Sequence, residues 1–122
     1  MPDRAPDLTI SRTTRPEQAL IYRLSGDYNP LHADPRVAEK AGFPRPILHG
    51  LCTFGIGGFA VVKGACGLEA GKLKRLDARF TSPVFPGETL ETDLWIEGAE
   101  VFFRVRIPAR EKVALDNGYA VV

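Results

Sequence analysis

The stretch from His49 to Val62 constrains the fold more than any other. Leu51, Cys52, Phe54, Ile56, Phe59, Val61 and Val62 spread around most of a helical wheel, and no charge follows until Lys63. A helix that is apolar on most sides belongs inside a protein. Gly55, Gly57 and Gly58 lie within it, each at a cost of order 1 kcal/mol relative to alanine. That cost is tolerated where something packs very close, such as a curved sheet or a ligand. The downstream chain supplies a sheet. Leu76 to Val84 reads as a strand closed by the turn Phe85-Pro86-Gly87-Glu88. Thr89 to Glu97 alternates through Leu90, Thr92, Leu94 and Ile96, and Gly98 ends it. Val101 to Pro108 sets Phe103, Val105 and Ile107 against Phe102, Arg104 and Arg106. A fourth strand runs from Val113 to Val122, with a bulge expected at Asn117-Gly118. One antiparallel sheet wrapped around one long apolar helix satisfies both patterns, which is an α+β fold.

Upstream, Leu8 to Thr13 has partial alternation and reads as a short first strand. Residues 1–7 are expected to be extended or loose. Thr14-Arg15-Pro16-Glu17 reads as a helix start with Thr14 as N-cap, and that helix stops at Ser25-Gly26. A second short helix runs from Pro35 to Ala41 and ends at Gly42, after which Pro44 and Pro46 keep the chain extended. The 122 residues are expected to form a single domain. Residues 1–13 are an N-terminal extension with the first strand, 14–66 hold the helices and a polar loop, and 72–122 hold four strands.

The net charge of +1, from 16 basic and 15 acidic residues, gives no electrostatic case for nucleic acid or a membrane surface. No apolar run approaches the roughly 18 residues of a membrane span. The start, Met-Pro-Asp-Arg-Ala-Pro, lacks the apolar core of a signal peptide. Cys52 and Cys66 are expected to be two free buried thiols in a cytoplasmic protein.

The chemistry concentrates just before the apolar helix. Asp27, Asn29 and His32 fall within six residues, interrupted by Pro30. Such a turn lets an acid and an imidazole face one cavity and hold one water. From spacing alone, Asp27 equally well caps a turn or the Pro35 helix, while His32 serves as an ordinary loop histidine. Asn29 either orients Asp27 or caps its own turn. Gly50 lies where the apolar helix begins, so its N–H is an unpaired first-turn donor at the positive end of the dipole. His49 reads as a loop-fixing residue. Phe80 lies on a strand facing the helix, as core or as a wall for an acyl chain. Arg45, Lys72, Lys74 and Arg75 either meet phosphates by charge or belong to solvated loops. Asp27, His32 and His49 are imaginable as three metal ligands, but no fourth candidate stands near them, and no metal is expected.

The string Tyr22-Arg23-Leu24-Ser25-Gly26-Asp27-Tyr28-Asn29-Pro30-Leu31-His32 resembles the hydratase 2 signature of the MaoC-like hot-dog family, the (R)-specific enoyl-CoA hydratases that include the hydratase part of peroxisomal multifunctional enzyme type 2. The resemblance continues through Pro46-Ile47-Leu48-His49-Gly50-Leu51-Cys52-Thr53-Phe54-Gly55, Ala78-Arg79-Phe80, Pro83 to Leu90, and Asn117-Gly118-Tyr119-Ala120. It implies a hot-dog fold and reversible hydration of trans-2-enoyl-CoA to (3R)-3-hydroxyacyl-CoA. By position, Asp27 and His32 match the catalytic pair and Asn29 its supporting amide. Gly50 matches the backbone donor to the thioester carbonyl, and Phe80 a substrate-contacting position. No cofactor is implied, because CoA is part of the substrate. One departure is Gly57-Gly58, where short bacterial relatives often carry a serine nearer the substrate. The Pro-rich start also looks like the linker of longer members that contain two hot-dog halves.

Two other readings stand beside the hydratase: an acyl-CoA thioesterase on the same fold, and a non-catalytic half that completes a partner's pocket. Loss of enoyl absorbance against thiol release separates the first from the hydratase. A lone sheet leaves open edges and little wall for a CoA thioester, so a two-fold homodimer with sites near the interface is expected.

Overall fold

The computed structural model describes residues 1–24 and 26–122. The first strand, β1 (Leu8–Thr13), precedes a short helix α1 (Gln18–Arg23). A single 3₁₀ turn at Pro30–His32 leads to α2 (Pro35–Lys40) and then to the long helix α3 (Gly50–Ala65). Strands β2 (Arg75–Phe80), β3 (Thr89–Glu97), β4 (Glu100–Ile107) and β5 (Lys112–Val121) complete the chain. The five strands form one antiparallel sheet in the order β1-β3-β4-β5-β2, and α3 touches every one of them. This is the α+β hot-dog arrangement that the two sequence patterns require.

Alternation decides which side of the sheet faces the helix. Leu90 and Leu94 of β3, and Val101, Phe103, Val105 and Ile107 of β4, are fully buried. They meet Cys52, Ile56 and Val61 of α3. Each such large side chain contributes roughly 1.5–3 kcal/mol when removed from water. The helix glycines let the layers approach. A Cβ on Gly57 would stand 3.1 Å from the Phe103 ring and 3.2 Å from Val105, and one on Gly58 would stand 2.9 Å from Leu76. The bulge expected in the last strand is present. Arg104 lies between the pairs Phe103–Gly118 and Val105–Leu115, so Asp116 and Asn117 oppose one residue, and Asn117 takes a left-handed φ of 50°.

Four local expectations are corrected. Thr14 does not cap α1, which starts three residues later than a Thr14 cap implies, after Glu17. The Thr14 hydroxyl instead donates to the Glu88 carbonyl at 2.7 Å and accepts from the Gly87 N–H at 2.9 Å. Strand β2 ends at Phe80 rather than Val84. Val84 instead pairs with the entry to α3, its carbonyl accepting from Leu48 N–H at 2.7 Å. Residues 1–7 are tethered rather than loose, because the Trp95 indole N–H donates to the Arg4 carbonyl and the Ile96 N–H to the Asp7 carboxylate, both at 2.7 Å. The Phe80 ring is not core, being 56% exposed. Of the expected stop of the first helix, Ser25 lies outside the described residues, and Gly26 has the left-handed φ of 111° that suits a glycine stop. Among the described residues no helix is long and apolar enough to cross a membrane. Cys52 and Cys66 are free and buried.

Candidate active site

The polar loop between α1 and α2 folds back over the N-terminus of α3. Its shape comes from short-range hydrogen bonds. The Asn29 side chain accepts from Leu31 N–H at 3.0 Å and so caps the 3₁₀ turn. The Asn29 backbone N–H donates to the Asp27 carboxylate at 3.2 Å. Asp34, not Asp27, caps α2, accepting from Arg36 N–H at 2.9 Å. The helix cap that spacing alone allowed Asp27 is therefore filled by another acid, whereas the turn cap is present through Asn29 N–H, and the Asp27 side chain remains about half exposed.

His32 is anchored from the far side. Its Nδ1 lies 2.8 Å from the Ile47 carbonyl. A carbonyl only accepts, so Nδ1 carries the proton, and in the neutral ring Nε2 is left as an acceptor. The His32 ring stacks on His49 with centroids 3.9 Å apart and planes inclined by 27°. Tyr22 of α1 packs against the other side of the column, 4.6 Å from His49. His49 is 1% exposed, and its Nε2 lies 3.4 Å from the Asp27 carbonyl and 3.9 Å from the Asp27 carboxylate. Burial first, then the neighbouring His32, hold its pKa below the ordinary 6.5, so the ring is neutral at pH 7.

One ligand-type atom from each of Asp27, His32 and His49 lies within 4.8 Å of the other two. Two acceptors at that separation can share a single water at about 2.8 Å each. The same trio has the composition of a metal site, but among the described residues it offers only three ligands, and one nitrogen of each imidazole already faces a carbonyl.

Gly50 opens α3 immediately after this cluster. The His49 carbonyl accepts from Cys52 and Thr53, whereas a first-turn N–H such as that of Gly50 has no carbonyl one turn back. The Phe80 ring lies directly against Gly50, and a Cβ there would meet it at 3.1 Å. Both residues line a cavity of about 310 Å³ with Phe43, Ile47, Thr53 and Val84. Ile47 joins this cavity to the acid–imidazole cluster, since its carbonyl holds His32. Asp27, His32, Gly50 and Phe80 are thus gathered at one end of the sheet, while the Asn29 side chain is turned to its own backbone. Of the basic candidates, Arg45 lines a neighbouring groove with His32. Arg75 opens the strand that Phe80 closes, placing it and Lys74 roughly 17 Å away at the far end. Their side chains have local partners: Lys74 donates to Gly71 and Arg75 to Asp77. Sequence reading passed over Tyr22 and Thr53. Thr53 is a buried polar residue one helical turn after Gly50, and its position at i+3 was a usable signal.

The chain matches the family described as "MaoC like domain" over residues 1–117. It is 50% identical over 115 residues to the peroxisomal enoyl-CoA hydratase 2 of Arabidopsis thaliana, covering 94% of this chain and 37% of that protein. The solved full-length peroxisomal multifunctional enzyme type 2 of Drosophila melanogaster superposes with a TM-score of 0.97 at 44% identity, over 99% of this chain and 23% of that one. The (R)-hydratase from A. caviae superposes with a TM-score of 0.71 at 26% identity, over 97% of this chain and 94% of that one. The chain spans well under half the length of the curated relatives it matches. Sheet order, the buried glycine helix and the family match agree, and the chain belongs to the MaoC-like domain family.

Proposed function

We propose that this chain adds water reversibly across the C2=C3 bond of a trans-2-enoyl-CoA to give a (3R)-3-hydroxyacyl-CoA. The observation that carries this reading is the Asp27–His32 cluster beside a cavity that runs past the free N–H of Gly50. The relatives named as enoyl-CoA hydratases and as an (R)-hydratase support the same reaction class. In the proposed reaction the water sits between the Asp27 carboxylate and His32 Nε2. Its oxygen attacks C3, one of its protons passes to the pair, and the C2=C3 electrons move toward the thioester oxygen. The Gly50 N–H, at the positive end of the α3 dipole, stabilises that oxygen, a contribution of about 3 kcal/mol for one such donor. A proton from the pair then reaches C2, so H and OH are both accounted for. Phe80 and the apolar cavity wall hold the acyl chain. The reaction uses no metal or cofactor, since CoA itself carries the acyl group.

A homodimer with sites near its interface accompanies this reading, supported by apolar side chains exposed on α1 and α3. A reducing, cytoplasmic setting is supported by the two free thiols. The test is hydration of crotonyl-CoA and of a longer enoyl-CoA, followed by loss of absorbance, with the product's configuration determined. Asp27→Ala and His32→Ala should each lower kcat by about 10²–10⁴-fold while the fold survives. Near-normal turnover in either variant, or an S product, would sink the assignment.

A further inference from the structure

The mechanism above leaves His49 unused, yet His49 is the most deeply buried polar ring in the site. It has two contacts of different kinds. Its Nε2 faces the Asp27 backbone carbonyl, and its ring face carries the His32 imidazole. Asp27 precedes the 3₁₀ turn and His32 ends it, and no direct hydrogen bond joins their side chains among the described residues. The element common to both is the imidazole one residue before Gly50. We propose that His49 is the positioning residue of the site, fixing Asp27 through its Nε2–H and His32 through its ring face, so that both stand at a set distance from the Gly50 donor.

This arrangement fixes the tautomer. The Asp27 carbonyl only accepts, so the His49 proton resides on Nε2 and Nδ1 is a lone-pair acceptor. That Nδ1 is buried and has no hydrogen-bond partner among the described residues. An unpaired buried acceptor destabilises the fold, so His49 is a poor choice for stability. A phenylalanine would keep a flat ring there without an orphaned nitrogen, though its ring is larger. Retaining a histidine makes sense if its donor and its flat face are both needed. The groups around it are Tyr22, Arg23, Asp27 and His32. A proton gained by His32 during turnover therefore sits over a neutral ring, which is more favourable than a second cation.

The inference rests on the hydratase reading for its kinetic consequences but not for its structural ones, and the experiment keeps the two apart. His49→Phe preserves the face and removes the donor, while His49→Gln preserves a donor and removes the face. Displacing one member of a catalytic pair by about 1 Å can cost about 10²-fold. Each variant should therefore lose about 10- to 100-fold in kcat with KM within about 3-fold. His49→Phe should remain fully folded at the assay temperature, as a thermal melt checks. A residue with only a structural role gives the opposite pattern, in which activity falls only as far as the fraction folded. The chain has 2 histidines, so in either variant the remaining imidazole signal in an NMR spectrum is that of His32. Its Cε1–H should keep a ring-current displacement in His49→Phe and lose it in His49→Gln. Wild-type kcat in both variants, a loss confined to KM, or a His32 resonance indifferent to His49→Gln would each overturn the proposal. A wild type that fails to hydrate enoyl-CoA would refute the hydratase reading alone, because the NMR comparison reads the positioning directly.

Discussion

Gly50 separates the demands of folding from those of chemistry. Its backbone is helical, with no left-handed φ to excuse a glycine, and alanine is the better helix former. The nearest group a Cβ would meet is the Phe80 ring, at 3.1–3.2 Å. That ring is 56% exposed and free to give by a few tenths of an ångström. Gly50→Ala should therefore fold with a melting temperature close to that of the wild type. The methyl would nonetheless occupy the approach to the first-turn N–H, where the proposed mechanism brings a thioester carbonyl. Loss of one oxyanion donor costs about 10²–10³-fold, and partial obstruction should cost about 10–10² in kcat/KM. Thermal melts and steady-state kinetics on the same preparation check this, and an unimpaired Gly50→Ala would remove Gly50 from the site. The place of this glycine at the start of α3 was legible in the sequence because a Gly at a helix start is a local pattern. The stacked His32–His49 column was not, since it joins residues 17 apart through a fold-back that no periodicity announces.

At the scale of elements, α3 was the most readable part of the chain, and its glycines show why. The sequence marked Gly55, Gly57 and Gly58 as costly, but only tertiary packing tells them apart. Gly57 lies under Phe103, Val105 and Leu115, whereas a Cβ on Gly55 would meet nothing within 4 Å. Gly55→Ala should stabilise the chain by about 0.5–1 kcal/mol through helix propensity, and Gly57→Ala should destabilise it by about 1–3 kcal/mol through overpacking. Urea denaturation midpoints distinguish the two, and equal effects would mean that the sheet does not sit on that helix face. The misread elements share one cause. Thr14 looked like a helix cap within its own window, but its partners are Gly87 and Glu88, more than 70 residues away. The outer face of the sheet hides a comparable long-range device. Asp93 is buried at 3% side-chain exposure. Burial pushes its pKa up, but hydrogen bonds from Arg106, Thr9 and Arg104 outweigh this and hold it below the ordinary 3.8. A depressed carboxyl contributes stability that is present above its unfolded pKa and lost as pH falls through the folded value. The urea midpoint should therefore decline below about pH 4. Asp93→Asn should flatten that decline and cost about 2–3 kcal/mol at pH 7, the low side of a broken buried pair because both arginines reach solvent.

The whole molecule is left with an apolar face that its own sheet does not cover. Leu20 and Ile21 of α1, Leu24 just beyond it, and Leu51 and Phe59 of α3 are 38–83% exposed. A groove of about 520 Å³ runs between the two helices, with Tyr22, Leu51, Ile56 and Phe59 in its walls. Scattered apolar residues are normal on a surface, but Leu51 and Phe59 lie along this one groove, with Arg12 and Gln18 as its polar walls, and an exposed apolar patch of that kind suits a contact. A near-neutral chain offers no charge pattern for a strongly acidic or basic partner there. In the homodimer proposed above, a second copy would present the same patch and pair with it about a two-fold axis. Leu51 is the decisive position, because it follows Gly50 in the chain. A partner seated on Leu51 would stand within one residue of the proposed carbonyl donor, tying assembly to turnover. Leu51 is 66% exposed in the single chain, so Leu51→Glu should change the stability of an isolated protomer by no more than about 0.5 kcal/mol. In a dimer the same change places two carboxylates in an apolar contact. Light scattering across a micromolar dilution series should then give a dimer for the wild type and a monomer for Leu51→Glu, with turnover falling in parallel. A monomeric wild type that is fully active would rule out the interface, and a dimeric Leu51→Glu would move it elsewhere, with the open edges at β1 and β2 as the remaining surfaces for a second copy.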